Sequence, residues 1–148
     1  MAPRYLLDTN VVREILLGED GHPNVATWLK SVDDHELSIS VLTIQEMWKG
    51  VAAAQKKGKD KDGSLKAAVE AVEAAFAGRV LSLEADAAKQ WGLQVGQQDK
   101  HVMDKGIVAI AASHGCTLVT RNVQHTKGLG VEVLDPFKSP PAVYAAQS

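Results

Sequence analysis

Residues 4–16, RYLLDTNVVREIL, decide the fold. Tyr5, Leu6 and Leu7 form an apolar run too short for a helix, which reads as a buried strand. Val11, Val12, Ile15 and Leu16 then recur at helical spacing, so a helix follows directly. Thr9 or Asn10 can accept a hydrogen bond from the first free N–H groups of that helix. Asp8 therefore falls at the carboxyl end of a buried strand, just ahead of a helix. Ligands bind at that edge in open α/β sheets. The stretch supports two readings of Asp8, a capping acid or a functional carboxylate.

Outward from this stretch, strands and helices alternate. GHPNVATWLKS reads as a short helix with Val25, Trp28 and Leu29 on one side, and HELSIS as a strand around Leu37 to Ile39. Ser40 is a cap for the helix VLTIQEMWKGVAAAQKK. The loop GKDKDG (58–63) separates it from the alanine-rich helix SLKAAVEAVEAAF, which makes a helical hairpin. GRVLSL is a third strand, EADAAKQWGLQVGQQ a helix, and HVMDKGIVAIAASHG a helix closed by Gly115. CTLVT and VEVL supply a fourth and a fifth strand. This order predicts an α/β fold with a central parallel sheet of about five strands, covered by helices on both faces. Residues 1–137 read as one domain. Residues 138–148, with Pro140 and Pro141 and no periodicity, read as a mobile tail.

Composition narrows the function. At 148 residues the chain suits a single core, and 45% hydrophobic with 23% charged residues is ordinary for a globular protein. No apolar stretch approaches a membrane span, the amino terminus lacks a signal-peptide pattern, and one cysteine fits a reducing compartment, so a cytoplasmic protein is expected. The single cysteine, Cys116, excludes an internal disulfide and reads as a small buried hydrophobe. Sixteen basic against eighteen acidic residues give a net charge of −2. A nucleic-acid partner would therefore have to meet a local basic patch or a metal. No Gly-x-Gly-x-x-Gly or Walker pattern is present, which removes dinucleotide and P-loop readings. Lys56, Lys57, Lys59 and Lys61 alternate with Asp60 and Asp62 and read as a solvated loop.

Two more acids fall out of place. Asp104 lies in line with Ile107, Val108 and Ala111, on the core-facing stripe of its helix, near an amino terminus that favours a carboxylate. Glu46 is aligned with Leu42, Gly50 and Ala53, and Gly50 suggests close approach to another backbone, since glycine costs about 1 kcal/mol in a helix interior. Singly, each acid also fits an end-of-core residue reaching for water. Together, Asp8, Glu46 and Asp104 share one rim of the sheet. Three convergent carboxylates repel unless a cation joins them. Mg²⁺ or Mn²⁺ would relieve this with oxygen ligands, and could activate water and neutralise a phosphodiester.

LLDTNVV, ISVLTIQEMWKG, VMDKGIVAIAASHGCTLVTRNVQH and GVEVLDPF, in that order, resemble the successive signatures of PIN-domain ribonucleases, and within them the VapC-type toxins of toxin–antitoxin pairs. The resemblance spans about Arg4 to Phe137. It implies a PIN-like three-layer fold and divalent-metal hydrolysis of RNA, leaving a 5′-phosphate and a 3′-hydroxyl. Carried onto matching positions, Asp8, Glu46 and Asp104 would hold Mg²⁺ or Mn²⁺. Thr9 and Asn10 would orient the first acid, and Thr120 and Asn122 would support the opposite wall. Arg121 would touch phosphate or make a structural salt bridge. Where many family members carry a fourth acid, this chain has His125, followed by Thr126. His125 could bind a softer ion, contact phosphate or cap a loop, and one firmly held ion is expected. No His-x-x-His or Cys-x-x-Cys spacing supports zinc.

The resemblance also implies a homodimer and a neutralising antitoxin. The helical hairpin from Val41 to Phe76, with Trp48, offers a docking groove, although Trp48 fits the core equally well. The competing function is a catalytically silent RNA- or partner-binding regulator. A phosphatase with Asp8 as nucleophile is also conceivable, but no second acid stands beside Asp8 and no strand-terminal lysine accompanies it.

Overall fold

The computed structural model describes residues 3–146. Six strands, β1 (Tyr5–Leu7), β2 (Leu37–Ser40), β3 (Val80–Leu81), β4 (Thr117–Val119), β5 (Val133–Asp135) and β6 (Ala142–Tyr144), form one sheet in the order β3-β2-β1-β4-β5-β6. The first five are parallel; β6 pairs antiparallel to β5, with Leu134 opposite Val143. The helices are α1 (Thr9–Leu16), α2 (Pro23–Ser31), α3 (Val41–Lys56), α4 (Ser64–Ala75), α5 (Ala85–Gln97) and α6 (Val102–Ser113).

Alternation along the short strands divides the core. In β1, Tyr5 and Leu7 join Val11, Trp28, Met47 and Val69 on one face, while Leu6 joins Ile107, Ile110 and Leu118 on the other. In β4 and β5, Leu118 and Val133 go one way and Val119 and Leu134 the other. Helices α1–α4 thus cover one face and α6 the second, with α5 packed outside α6. The predicted three layers are present. Truncating a fully buried side chain such as Leu6 to alanine would cost about 2–5 kcal/mol. None of the helices among the described residues is long and apolar enough to cross a membrane.

Four expectations need correction. The sheet has six strands, not about five, because part of the supposed mobile tail is built into it as β6. A three-residue edge strand after two prolines is too short to show an alternating pattern. Second, the buried stripe of α3 is Thr43, Met47 and Val51; Gly50 and Ala53 are exposed, and Glu46 flanks the stripe half-buried. A Cβ on Gly50 would meet nothing, whereas one on Gly106 would lie 2.7 Å from both Leu42 Cδ1 and Trp91 Cε2. The close approach is therefore at α6, where α3 and α5 both press on it. Third, of the two readings of Trp48 the structure takes the core one: it is half-buried against the core and its indole N–H donates to Glu73, pinning α3 to α4. Fourth, Asp8 itself caps α1, accepting from Thr9 N–H, in place of Thr9 or Asn10.

Other readings match the structure. Cys116 is buried, which pushes its thiol pKa up. The four loop lysines are exposed, while Asp60 is buried and accepts from the N–H groups of Leu65 and Lys66 at the start of α4. Gly115 follows α6 at φ +68°.

Candidate functional site

Strand order reverses at β1: the chain moves outward to β2 and β3, then returns to lay β4 on β1's other side. In doubly wound sheets the crevice beyond the carboxyl ends of two such strands receives ligands. Asp8 directly follows β1 and Thr120 directly follows β4, and the two strand ends are tied by Asp8 N–H to Val119 O at 2.9 Å.

Asp8 is only 3% exposed. Its Oδ1 accepts from Thr9 N–H at 2.7 Å; Oδ2 accepts from Thr120 Oγ1 at 2.8 Å and Asn10 Nδ2 at 3.3 Å. Thr120 Oγ1 in turn accepts from Asn10 Nδ2 at 2.9 Å and Asn122 N–H at 3.0 Å, and Asn10 Oδ1 accepts from Arg121 N–H at 3.1 Å. Thr120 thus supports Asp8 with its side chain, and Asn122 contributes its backbone. Burial pushes the Asp8 pKa up to about 6, against the hydrogen bonds from Thr120 and Thr9, with the charges of Asp104 and Glu46 adding to the rise. The three predicted acids are therefore electrostatically coupled.

Thr9 divides its duties. Its N–H serves Asp8, while its hydroxyl donates to Glu46 Oε1 at 2.6 Å and lies 2.9 Å from Thr43 Oγ1. With Thr9's only hydroxyl proton committed to Glu46, Thr43 must donate to Thr9. Thr43, fully buried, is thus a support that the sequence reading missed.

The other wall is built differently. Asp104 stands in the first turn of α6, and its Oδ2 lies 2.7 Å from His125 Nδ1. His125, in the short 3-10 turn Val123–Thr126, stacks on His101 with ring centroids 3.6 Å apart and planes 12° apart. His101 immediately precedes α6 with φ +52°, a left-handed conformation uncommon outside glycine. His101 was also missed, since a lone loop histidine has no periodicity to betray it. Arg121 stacks its guanidinium 4.6 Å over the Phe137 ring, in place of the salt bridge considered for it.

The oxygen donors suit a hard divalent cation, and the mutual repulsion at Asp8 is what such a cation would relieve. Asp8, Glu46 and Asp104 do not gather as one tight cluster; among the described residues that distinction belongs to His101, Asp104 and His125, and to exposed Asp33 and His35 with half-buried Glu36. Mg²⁺ is commonly held by one or two carboxylates and completes its shell with water, so the looser trio still fits it. Beside His125 opens a groove of about 370 Å³ with Arg121, Gln124, Lys127, Lys138 and Tyr144 on its walls. A second groove of about 420 Å³, with Ile15, Val25 and Leu29 among its walls, lies between α1 and α2.

Comparison with known proteins places this geometry. The PIN domain family model matches residues 5–127. Plasmid stability protein StbB of Pseudomonas syringae pv. tomato is 27% identical over 139 residues, covering 90% of this chain and 99% of StbB. Toxin FitB of Neisseria gonorrhoeae is 28% identical over 142 residues, covering 89% and 97%. The crystal structure of FitAcB from N. gonorrhoeae superposes with a TM-score of 0.72 at 27% identity, covering 90% of this chain and 98% of that one.

Proposed function

The chain belongs to the PIN-domain family, and on that premise we propose that it is a divalent-metal-dependent endoribonuclease, the toxin of a toxin–antitoxin pair. The observation that carries this reading is Asp8: a buried carboxyl at the sheet's switch point, raised to about 6 and repelled by both Asp104 and Glu46. A fold bears such a cost where a cation belongs. Bound there, Mg²⁺ or Mn²⁺ would neutralise the phosphodiester and lower the pKa of the attacking water. Asp8, locked by Thr120 and Asn10, presents a fixed carboxylate; Glu46 is aimed by Thr9; Asp104 is steadied by His125. Hydrolysis in line would break the bond from phosphorus to the 3′-oxygen, leaving 3′-hydroxyl and 5′-phosphate ends.

RNA as the substrate is supported by the groove beside His125. In a chain of net charge −2, Arg121, Lys127 and Lys138 outnumber the one lining acid, buried Asp135, in a channel next to the acid site, where a phosphate backbone would be drawn. Tyr144 at its edge offers a face on which an unpaired base can stack. The toxin role is supported by FitB, which bears that name, and by StbB, a plasmid stability protein. A nuclease active on the RNA of the cell that makes it requires a neutralising partner, so an antitoxin chain is part of this reading. A homodimer and residence in the cytoplasm complete it.

The deciding experiment incubates the isolated protein with total cellular RNA in Mg²⁺, Mn²⁺ or EDTA, beside Asp8→Asn, and maps new 5′ ends. Discrete, metal-dependent cuts absent in the variant are the expected result. RNA binding without cuts in either ion would overturn the nuclease and favour a silent binding regulator.

A further inference from the structure

His101, Asp104 and His125 each offer one ligand atom, and those atoms lie within 4.8 Å of one another. We propose that these three residues form a second metal site, selective for a borderline transition ion of the zinc class, which shares Asp104 with the acid site and withdraws it when filled. The binding part stands on its own; the withdrawal rests on the nuclease reading given above.

Three observations converge on it. The donor set is two imidazoles and one carboxylate, which suits zinc, cobalt or nickel and not magnesium, an ion that seeks oxygen alone. Three protein ligands with a fourth position open to water is a common zinc arrangement. The donors also come from two pieces of chain: the amino-terminal end of α6, which carries His101 and Asp104, and the 3-10 turn at 123–126, which carries His125. Sequence proximity accounts for His101 lying near Asp104 but not for His125, 21 residues beyond Asp104, joining them.

Packing does not account for it either. His101 is exposed, and the His125 side chain is 34% exposed, so their stack returns little hydrophobic stabilisation. Yet His101 is held in the left-handed region, which costs energy in a residue with a Cβ. Strain at an exposed, non-glycine position carries weight when it places a functional group. Here it lays the His101 ring on the ring that already faces Asp104. The two rings need only fan apart, with Asp104 closing the third corner, for all three donors to reach one ion at zinc–ligand distances of about 2.0–2.2 Å.

The consequence follows from Asp104's double membership. Its charge is one of those that raise Asp8, so it faces the acid site as well as His125. A zinc-class ion held with His101 and His125 would commit this carboxylate and weaken the binding of Mg²⁺ beside Asp8. Occupancy would thus turn the enzyme down.

The test is equilibrium dialysis of the full chain against Zn²⁺, with Co²⁺ visible absorption as a report on nitrogen ligands. The variants are His101→Asn, His125→Ala and Asp8→Asn; asparagine tolerates the left-handed backbone of residue 101. The expected result is one Zn²⁺ per chain, bound at least tenfold more weakly by both histidine variants and within twofold of wild type by Asp8→Asn. Histidine variants that bind Zn²⁺ like the wild type would overturn the site, as would an Asp8→Asn that loses Zn²⁺ equally. Circular dichroism confirms that each variant is folded. In the cleavage assay with Mg²⁺, Zn²⁺ should inhibit wild type at concentrations at least tenfold below those needed for His101→Asn; equal sensitivity would overturn the withdrawal of Asp104. A wild type without cleavage would sink the nuclease reading, while dialysis would still decide the metal site.

Discussion

The two walls of the site are made on opposite plans. Asp8 sits where two central strands end, and both of its oxygens, the hydroxyl of Thr120 and the amide of Asn10 belong to one closed hydrogen-bond set. Asp104 sits on the first turn of a helix, partly open to solvent, paired with His125 and with a strained His101 behind that. One wall is fixed by the sheet; the other is partly exposed and held by fewer contacts. In the nuclease proposed above, the fixed carboxylate would set the position of the ion and the partly exposed one would meet substrate and product.

The largest effect that tests this contrast is catalytic. Asp8→Asn should lower RNA cleavage at least ~10³-fold, because several kcal/mol of charge stabilisation depend on that carboxylate. A variant retaining a tenth of the activity would show that the fixed wall is not where chemistry is organised.

Stability should divide the walls next. Thr120→Val would leave Asn122 N–H without its acceptor and Asp8 Oδ2 and the Asn10 amide with only their long mutual hydrogen bond, around a fully buried position, at a cost of roughly 2–3 kcal/mol. Asp104→Asn removes one partly exposed interaction and should cost under ~1 kcal/mol. Urea denaturation in EDTA measures both. Equal losses would mean that the second wall is as rigid as the first.

How much of this was legible in the sequence follows the same division. RYLLDTNVV announces a strand end before a helix, and Asp104 stands on an apolar stripe, so both acids and the parallel core could be read from periodicity. Glu46 was found in a stripe that the fold does not bury: Thr43, Met47 and Val51 face inward, because a small polar pair, Thr9 and Thr43, occupies that corner instead of an apolar one. His101 owes its place to a left-handed backbone, and β6 to a partner strand. Neither leaves a periodic trace.

Asp8 also makes the fixed wall sensitive to pH. Its pKa is raised in the fold, from 3.8 to about 6, so the folded state holds the proton more tightly than the unfolded one. Stability of the metal-free protein should fall as pH rises from about 4 to 6, by as much as about 3 kcal/mol, and be fully reduced above that window. In EDTA, the wild type should gain on Asp8→Asn when pH drops from 7.5 to 5, and Mg²⁺ at pH 7.5 should raise the melting temperature of wild type more than that of Asp8→Asn. A difference between the two proteins that does not vary with pH would mean that Asp8 ionises as freely as a surface acid.

The smallest effect concerns the groove on the more exposed side. Lys138 lines it from a segment without periodic signal, brought there because β6 returns along β5. If a single strand of RNA lies along this groove, Lys138 neutralises one phosphate and releases one counterion. Lys138→Ala should then weaken RNA binding several-fold and reduce the slope of log affinity against log salt by about 0.7. The affinity loss alone would not be specific, since any surface cation has some effect at low ionic strength. The slope is the better measure, because a distant charge alters the local potential without surrendering a whole counterion. An unchanged slope would place the strand on the opposite side of Asp104, and Lys138 would then belong to the sheet edge and not to the substrate path.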